Sequence, residues 1–152
     1  FIRESKFMND CIFCKIISGE IPSFKISETS THFAFLDINP NTKGVTLVVP
    51  KEHIGSTIIN MNKDVYLNTL SYAKEIAEIL AKKFEVEKVG IAIEGTGVDH
   101  FHVKLYPFHQ GVEISQPHER VYNEYYQGYL TTQLGPQADF EELKKLAEEL
   151  RN

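Results

Sequence analysis

The spacing of apolar and polar residues divides the chain into a few elements. Between residues 63 and 84, Val65, Leu67, Leu70, Ala73, Ile76, Ala77, Leu80 and Phe84 recur every two to four positions, and Lys74, Glu75, Glu78, Lys82 and Lys83 fall elsewhere on the wheel. That pattern predicts a long helix with one buried face. Residues 138–151, ADFEELKKLAEELR, predict a second amphipathic helix, acidic early and ending in Arg151, as the helix dipole favours. The aromatic-rich residues 32–37 predict a strand, and 45–49 a second one closed by Pro50. Turn formers at 39–44 lie between them, so the two should pair antiparallel. Residues 89–93 predict a third strand, and 100–106, HFHVKLY, a fourth ending at Pro107. Residues 11–18 predict a short helical turn ended by Gly19, and 20–24 a loop containing Pro22.

Strands and helices segregate in this order. That predicts an α+β domain, an antiparallel sheet with a long packed helix, followed by a C-terminal tail ending in a helix. The expected boundaries are 8–107 for the domain and 108–152 for the extension. Residues 1–7, ahead of Met8, read as an artificial leader or a short arm. Residues 108–135 are polar and carry Tyr122, Tyr125, Tyr126 and Tyr129. They predict an irregular but ordered tail packed on the domain or on a neighbouring subunit.

Composition narrows the function. With 42% hydrophobic and 24% charged residues the chain can bury a core. Its formal charge of −5 argues against nucleic-acid binding, which needs a basic surface. No apolar run reaches the roughly 18–20 residues of a membrane helix, and no leader pattern is visible. The two cysteines, Cys11 and Cys14, are no disulfide framework. The expectation is a cytoplasmic protein without membrane or nucleic-acid partners.

Two constellations carry chemistry. By strand alternation His100, His102, Lys104 and Tyr106 share one face of 100–106, with Phe101, Val103 and Leu105 on the core side. Such a stripe is either a solvated sheet face or an anion site. The neighbouring loop 94–99, with Gly95 and Gly97, favours the latter, because glycines let backbone N–H groups approach an anion. The Cys11–Cys14 pair is either two buried thiols or half of a tetrahedral metal site, with His53 and His100 as candidate partners.

The runs CIFCKIISGEIPS (11–23), AFLDINPNTKGVTLVVPKEHI (34–54) and HFHVKLYP (100–107) resemble the histidine triad (HIT) family, in its branch of small Hint-like and bacterial HIT proteins, over about residues 9–107. The resemblance implies an α+β homodimer that binds nucleotides and processes nucleoside phosphates through a histidine-linked nucleotidyl intermediate. It makes His102 the nucleophile and places His100 at the first triad position. It implies a structural zinc on Cys11, Cys14, His53 and His100. It also implies a nucleoside pocket at Asp37, Ile38 and Asn39, with Asp37 on the ribose and Ile38 on the base.

Three departures stand out. Lys104 occupies the third triad position, Val45 follows Gly44 where the family usually has histidine, and the loop before the triad is short. Losing fixed donors at a developing charge costs about 10²–10³ in rate. Lys104, Thr96 and the backbone of Gly95 and Gly97 are the candidates to replace them at the phosphate. The expected function is a nucleotide hydrolase or transferase acting on a purine nucleoside phosphoramidate, polyphosphate or dinucleoside polyphosphate. The alternatives are a weakly catalytic or non-catalytic nucleotide sensor and a structural zinc protein.

Overall fold

Residues 32–36 are buried throughout and alternate between two apolar environments, which makes them the interior strand of a sheet rather than a half-exposed one. The computed structural model describes residues 10–110, 122–128 and 130–152. In order these form α1 (Ile12–Ile17), β1 (Lys25–Glu28), β2 (His32–Leu36), β3 (Thr46–Pro50), a 3-10 turn (Ile58–Asn60), α2 (Lys63–Phe84), β4 (Val89–Ala92), β5 (Val103–Pro107) and α3 (Phe140–Arg151). The strands form one antiparallel sheet in the order β1-β2-β3-β5-β4. The architecture is α+β, and α2 has the limits its apolar face predicts. No helix among the described residues is long and apolar enough to cross a membrane.

Helices α2 and α3 cover one face of the sheet. Ala34, Leu36 and Val48, with Phe101, Val103 and Leu105, pack against Tyr72, Ala73, Ile76 and Leu80 of α2. Leu143, Leu146, Ala147 and Leu150 of α3 join the same core. Asn62 caps α2 and Asp139 caps α3, each side chain accepting two backbone N–H groups of the first turn. On the opposite face Phe33, Phe35, Leu47 and Val49 pack against Cys11 and Phe13 of the α1 segment, with Cys14, Ile16, Ile17 and Val98 at the margin.

The structure corrects several sequence-based limits. Residues 25–28 form an edge strand that the pattern did not reveal, because Ile26 is its one apolar residue and a bulge lies between Lys25 and Ser27. The strands expected at 32–37, 45–49 and 89–93 occupy 32–36, 46–50 and 89–92, and the last helix starts at 140 rather than 138. The expected strand 100–106 starts only at Val103. Residues 100–102 bond elsewhere instead. Phe101 N–H donates to Ile54 O at 2.7 Å. His100 Nε2 lies 2.8 Å from Pro50 O, and His102 Nδ1 lies 2.7 Å from His100 O. The proposed arm 1–7, Met8 and Tyr129 lie outside the described residues, as do 111–121 of the tail. Residues 122–128 and 130–139 contain no helix or strand, and they pack on the domain.

Candidate active site

Residues from three separate segments converge on the face of the sheet that lies under α1. Cys11 caps α1, its sulfur 3.4 Å from the Cys14 N–H, so the two thiols sit on one turn facing the same way. His53 follows β3, and His100 precedes β5. Cys11 Sγ lies 3.4 Å from His100 Nδ1, and Cys14 Sγ lies 3.3 Å from His53 Nδ1 and 3.5 Å from His100 Nδ1. All four donor atoms fall within 4.8 Å of one another. Metal bonds of about 2.3 Å to sulfur and 2.0 Å to nitrogen, at tetrahedral angles, require S···N edges of roughly 3.5 Å. The cluster therefore fits a metal ion of that size. His100 Nε2 faces a carbonyl, which only accepts, so that nitrogen carries the proton and Nδ1 turns its lone pair to the thiols. Burial pulls the His100 pKa down to about 4 and, with Cys11 adding hydrogen-bond and charge effects, pushes that of the Cys14 thiol up to about 11. A coordinated cation reverses the thiol's preference, because it deprotonates a coordinating thiol.

His102 lies two residues on. Its Nδ1 also faces a carbonyl, that of His100, so Nδ1 holds the proton and Nε2 keeps its lone pair. Nε2 makes no hydrogen bond among the described residues. The ring is buried at 6% exposure, edge-on to Phe13 with ring centres 5.3 Å apart. Its pKa is lowered, by burial first and then by the Lys104 charge, against the opposing pull of the His100 carbonyl, Glu94 and Asp37. The polar stripe is thus no solvated sheet face. His100, His102 and Tyr106 are buried, and α1 covers part of them.

Lys104 pairs across the ladder with Leu47, whose other neighbour is Phe35, and Asp37 is two residues beyond Phe35 on that face. Lys104 Nζ accordingly lies 3.7 Å from Asp37 Oδ2, with both side chains nearly covered. Asp37 Oδ1 accepts the Asn39 N–H at 2.8 Å, an Asx turn that fixes the carboxylate. Ile38 is exposed beside it. The remaining predicted residues are less concentrated. Thr96 is exposed and its hydroxyl donates to Glu94 Oε2 at 3.3 Å. Gly95 and Gly97 both have positive φ, 73° and 82°. Gly97 borders a cleft of about 240 Å³ with Cys11, Ile12, His53 and Asp99, on the side of the cysteine cluster.

Sequence reasoning missed three contributors. Phe13 contacts Phe35, His100 and His102, and its only signal was an apolar residue between two cysteines. The Pro50 carbonyl orients His100 and left no mark in the sequence. Ser56 and Asp99 latch the glycine loop. Asp99 Oδ1 accepts the Ser56 N–H at 2.9 Å, and Ser56 Oγ lies 3.0 Å from Gly95 O. The Ser56 N–H, with the Ser56 hydroxyl 3.1 Å from the same Asp99 oxygen, holds the Asp99 carboxyl below its usual pKa, against burial.

Residues 18–110 match the HIT domain family. An uncharacterized HIT-like protein of Borreliella burgdorferi is 41% identical over 65% of this chain and 74% of its own length. The adenosine 5'-monophosphoramidase HNT1 of Saccharomyces cerevisiae is 39% identical over 64% of this chain, which spans 61% of that enzyme. Among solved structures, a Zn-bound histidine triad family protein from Mycobacterium smegmatis shares the fold, with a TM-score of 0.65 over 93% of this chain and 92% of the other at 23% identity. The chain belongs to the HIT domain family.

Proposed function

We propose that this protein is a nucleotide hydrolase or transferase in which His102 Nε2 attacks the α-phosphorus of a purine nucleoside phosphoramidate or related nucleoside phosphate. The observation that carries this reading is the fixed tautomer of His102, with Nδ1–H held on the His100 carbonyl and the Nε2 lone pair uncommitted. Attack forms a P–N bond to the ring and breaks the bond to the leaving amine or phosphate, which takes a proton from water. The ring becomes a phosphoimidazolium, and its positive charge is stabilised by the His100 carbonyl and by Glu94 and Asp37 nearby. Water then attacks phosphorus and returns the electron pair to Nε2, or an acceptor does so in a transferase.

Lys104, at the third triad position of the family pattern, supplies the cation for the phosphate oxygens. Asp37 accepts ribose hydroxyls through Oδ2, and Ile38 packs on the base. The observed pairing of Lys104 with Asp37 holds both side chains in place before a nucleotide divides them. Asn39, Thr96, Gly95 and Gly97 complete the nucleotide site through backbone and hydroxyl donors. Zinc is the ion that suits the Cys11, Cys14, His53 and His100 donors. With all four positions taken by protein it would be structural, bracing the segment that bears His102. The activity of the yeast relative and the metal of the mycobacterial one support both parts. A soluble homodimer in the cytoplasm completes the proposal.

Steady-state hydrolysis of adenosine 5'-phosphoramidate tests it. Wild type should turn over, and His102→Asn should lose at least about 10³-fold in kcat, a general size for deleting a nucleophile. Equal turnover by the two would refute the assignment. AMP binding without turnover by wild type would identify a nucleotide sensor instead.

A further inference from the structure

The loop that carries Asp37 and Ile38 has few ties to the sheet. Asp37 N–H donates to Val45 O at 2.9 Å, but the carbonyls beyond it are taken by chain that follows the sheet. Ile38 O accepts the Ala138 N–H at 2.9 Å, Asn39 O accepts Gly135 N–H at 3.1 Å, and Asn41 O accepts Asn123 N–H at 2.7 Å. Lys43 O lies 2.8 Å from His109 Nε2, which donates to it. The buried Asn41 side chain answers in the other direction, its Nδ2 donating to Thr131 O at 2.8 Å and Gln133 O at 3.0 Å. Four carbonyls of one loop are thus oriented by donors 66 or more residues later.

Packing does not do this work in their place. Behind the turn a cavity of about 560 Å³ opens between Pro40, Lys43, Pro136, Ala138 and Leu143. The contact is nevertheless close at one point. A Cβ on Gly135 would lie 2.0 Å from Pro40 O and 2.7 Å from its carbonyl carbon, so any side chain there must displace the loop backbone. Residues 135–138 cannot give way freely, since Asp139 caps α3 immediately afterwards and α3 is anchored in the main core.

We infer that Asn123, Thr131, Gln133, Gly135 and Ala138 form a clamp that sets where Asp37 and Ile38 stand, and so determines nucleoside affinity, with Gly135 and Asn41 as its positioning residues. This inference rests on the nucleotide reading above. His102 is positioned separately, by the His100 carbonyl and Phe13, and none of the clamp bonds reaches it. Disturbing the clamp should therefore separate binding from chemistry. Misplacing a substrate-positioning group by about 1 Å can cost up to 10²-fold.

The experiment compares wild type, Gly135→Ala and Asn41→Ala, using AMP affinity by calorimetry and steady-state kinetics with adenosine 5'-phosphoramidate. Both variants should raise KM and the AMP dissociation constant about tenfold and keep kcat within about threefold. Asn41→Ala introduces no backbone clash, so it decides the matter if Gly135→Ala does not fold. Folded variants with unchanged KM and AMP affinity, or with kcat lowered at unchanged KM, would overturn the clamp. A wild type without AMP affinity would overturn the nucleotide reading itself, and the clamp's role with it.

Discussion

One face of the sheet lies under helices of 22 and 12 residues, and the other lies under a helix of six. The first is an apolar core in which Ala34, Leu36, Val48, Ile76 and Leu80 have lost nearly all contact with water. Its order is over-determined, because many side chains each contribute about 1.5–3 kcal/mol through burial. The second holds His100, His102, Lys104 and Asp37, and its cover is too short to be a stable helix alone. There, order depends on a few specific bonds: the cysteine–histidine cluster, the carbonyls that fix two imidazole rings, and the Asx turn at Asp37. The contrast locates stability on one side and, in the proposed function, chemistry on the other. A buried histidine can serve as a nucleophile on the thin side because directional bonds, rather than dense packing, set its orientation.

The contrast can be broken or sharpened experimentally. The largest effect on stability should come from the thick face. Leu36→Ala should cost about 2–5 kcal/mol in chemical denaturation while kcat of the folded protein stays close to wild type. A matching loss of kcat would show that the faces are not separable. On the thin face, if the cysteine–histidine cluster holds zinc as proposed, a chelator should lower Tm by about 5–10 °C, as expected for a ligand removed from 100-fold saturation. Cys14→Ser should bind no metal and show no chelator response. Lys104→Met should lower kcat/KM about 10–100-fold and also lower Tm, since it leaves the nearly covered Asp37 carboxylate without its partner. An unchanged kcat/KM would remove Lys104 from the phosphate.

The smallest effect concerns His32 on the thick face. It is bonded to Thr69 and packed on Tyr72, and burial depresses its pKa. The folded state then binds fewer protons than the unfolded chain below the ordinary histidine pKa near 6.5, so stability is lost as pH falls from there. His32→Gln should show a shallower decline in Tm between pH 7 and 5 than wild type. An equal slope would contradict this.

How much was legible follows the same division. The thick face announces itself: α2 was readable to the residue from its apolar stripe, and α3 nearly so, because periodicity is how a buried helix is written. The edge strand β1 was not, since Lys25, Ser27 and Glu28 leave Ile26 as the sole apolar mark. On the thin face the side chains were visible as a spaced set, but their grouping was not. Cys11 and His100 are 89 residues apart; metal chemistry made His100 a candidate partner, and family resemblance picked it out. What positions them was hidden altogether. The Pro50 and His100 carbonyls and the carbonyls of 38–43 act through main chain, which every residue carries, so only Gly135 hints at the clamp. His100 to His102 read as strand because their alternation is strand-like, although their bonds go to Pro50, to Ile54 and to one another.

The most direct test of the central claim is to mix the protein with adenosine 5'-phosphoramidate, quench in base within the first turnover, and map the mass of the adduct by peptide. The account predicts one adenylyl group on the peptide containing His102, labile to acid and missing in His102→Asn. Turnover with no adduct at any time point, or an adduct that persists in His102→Asn, would contradict it.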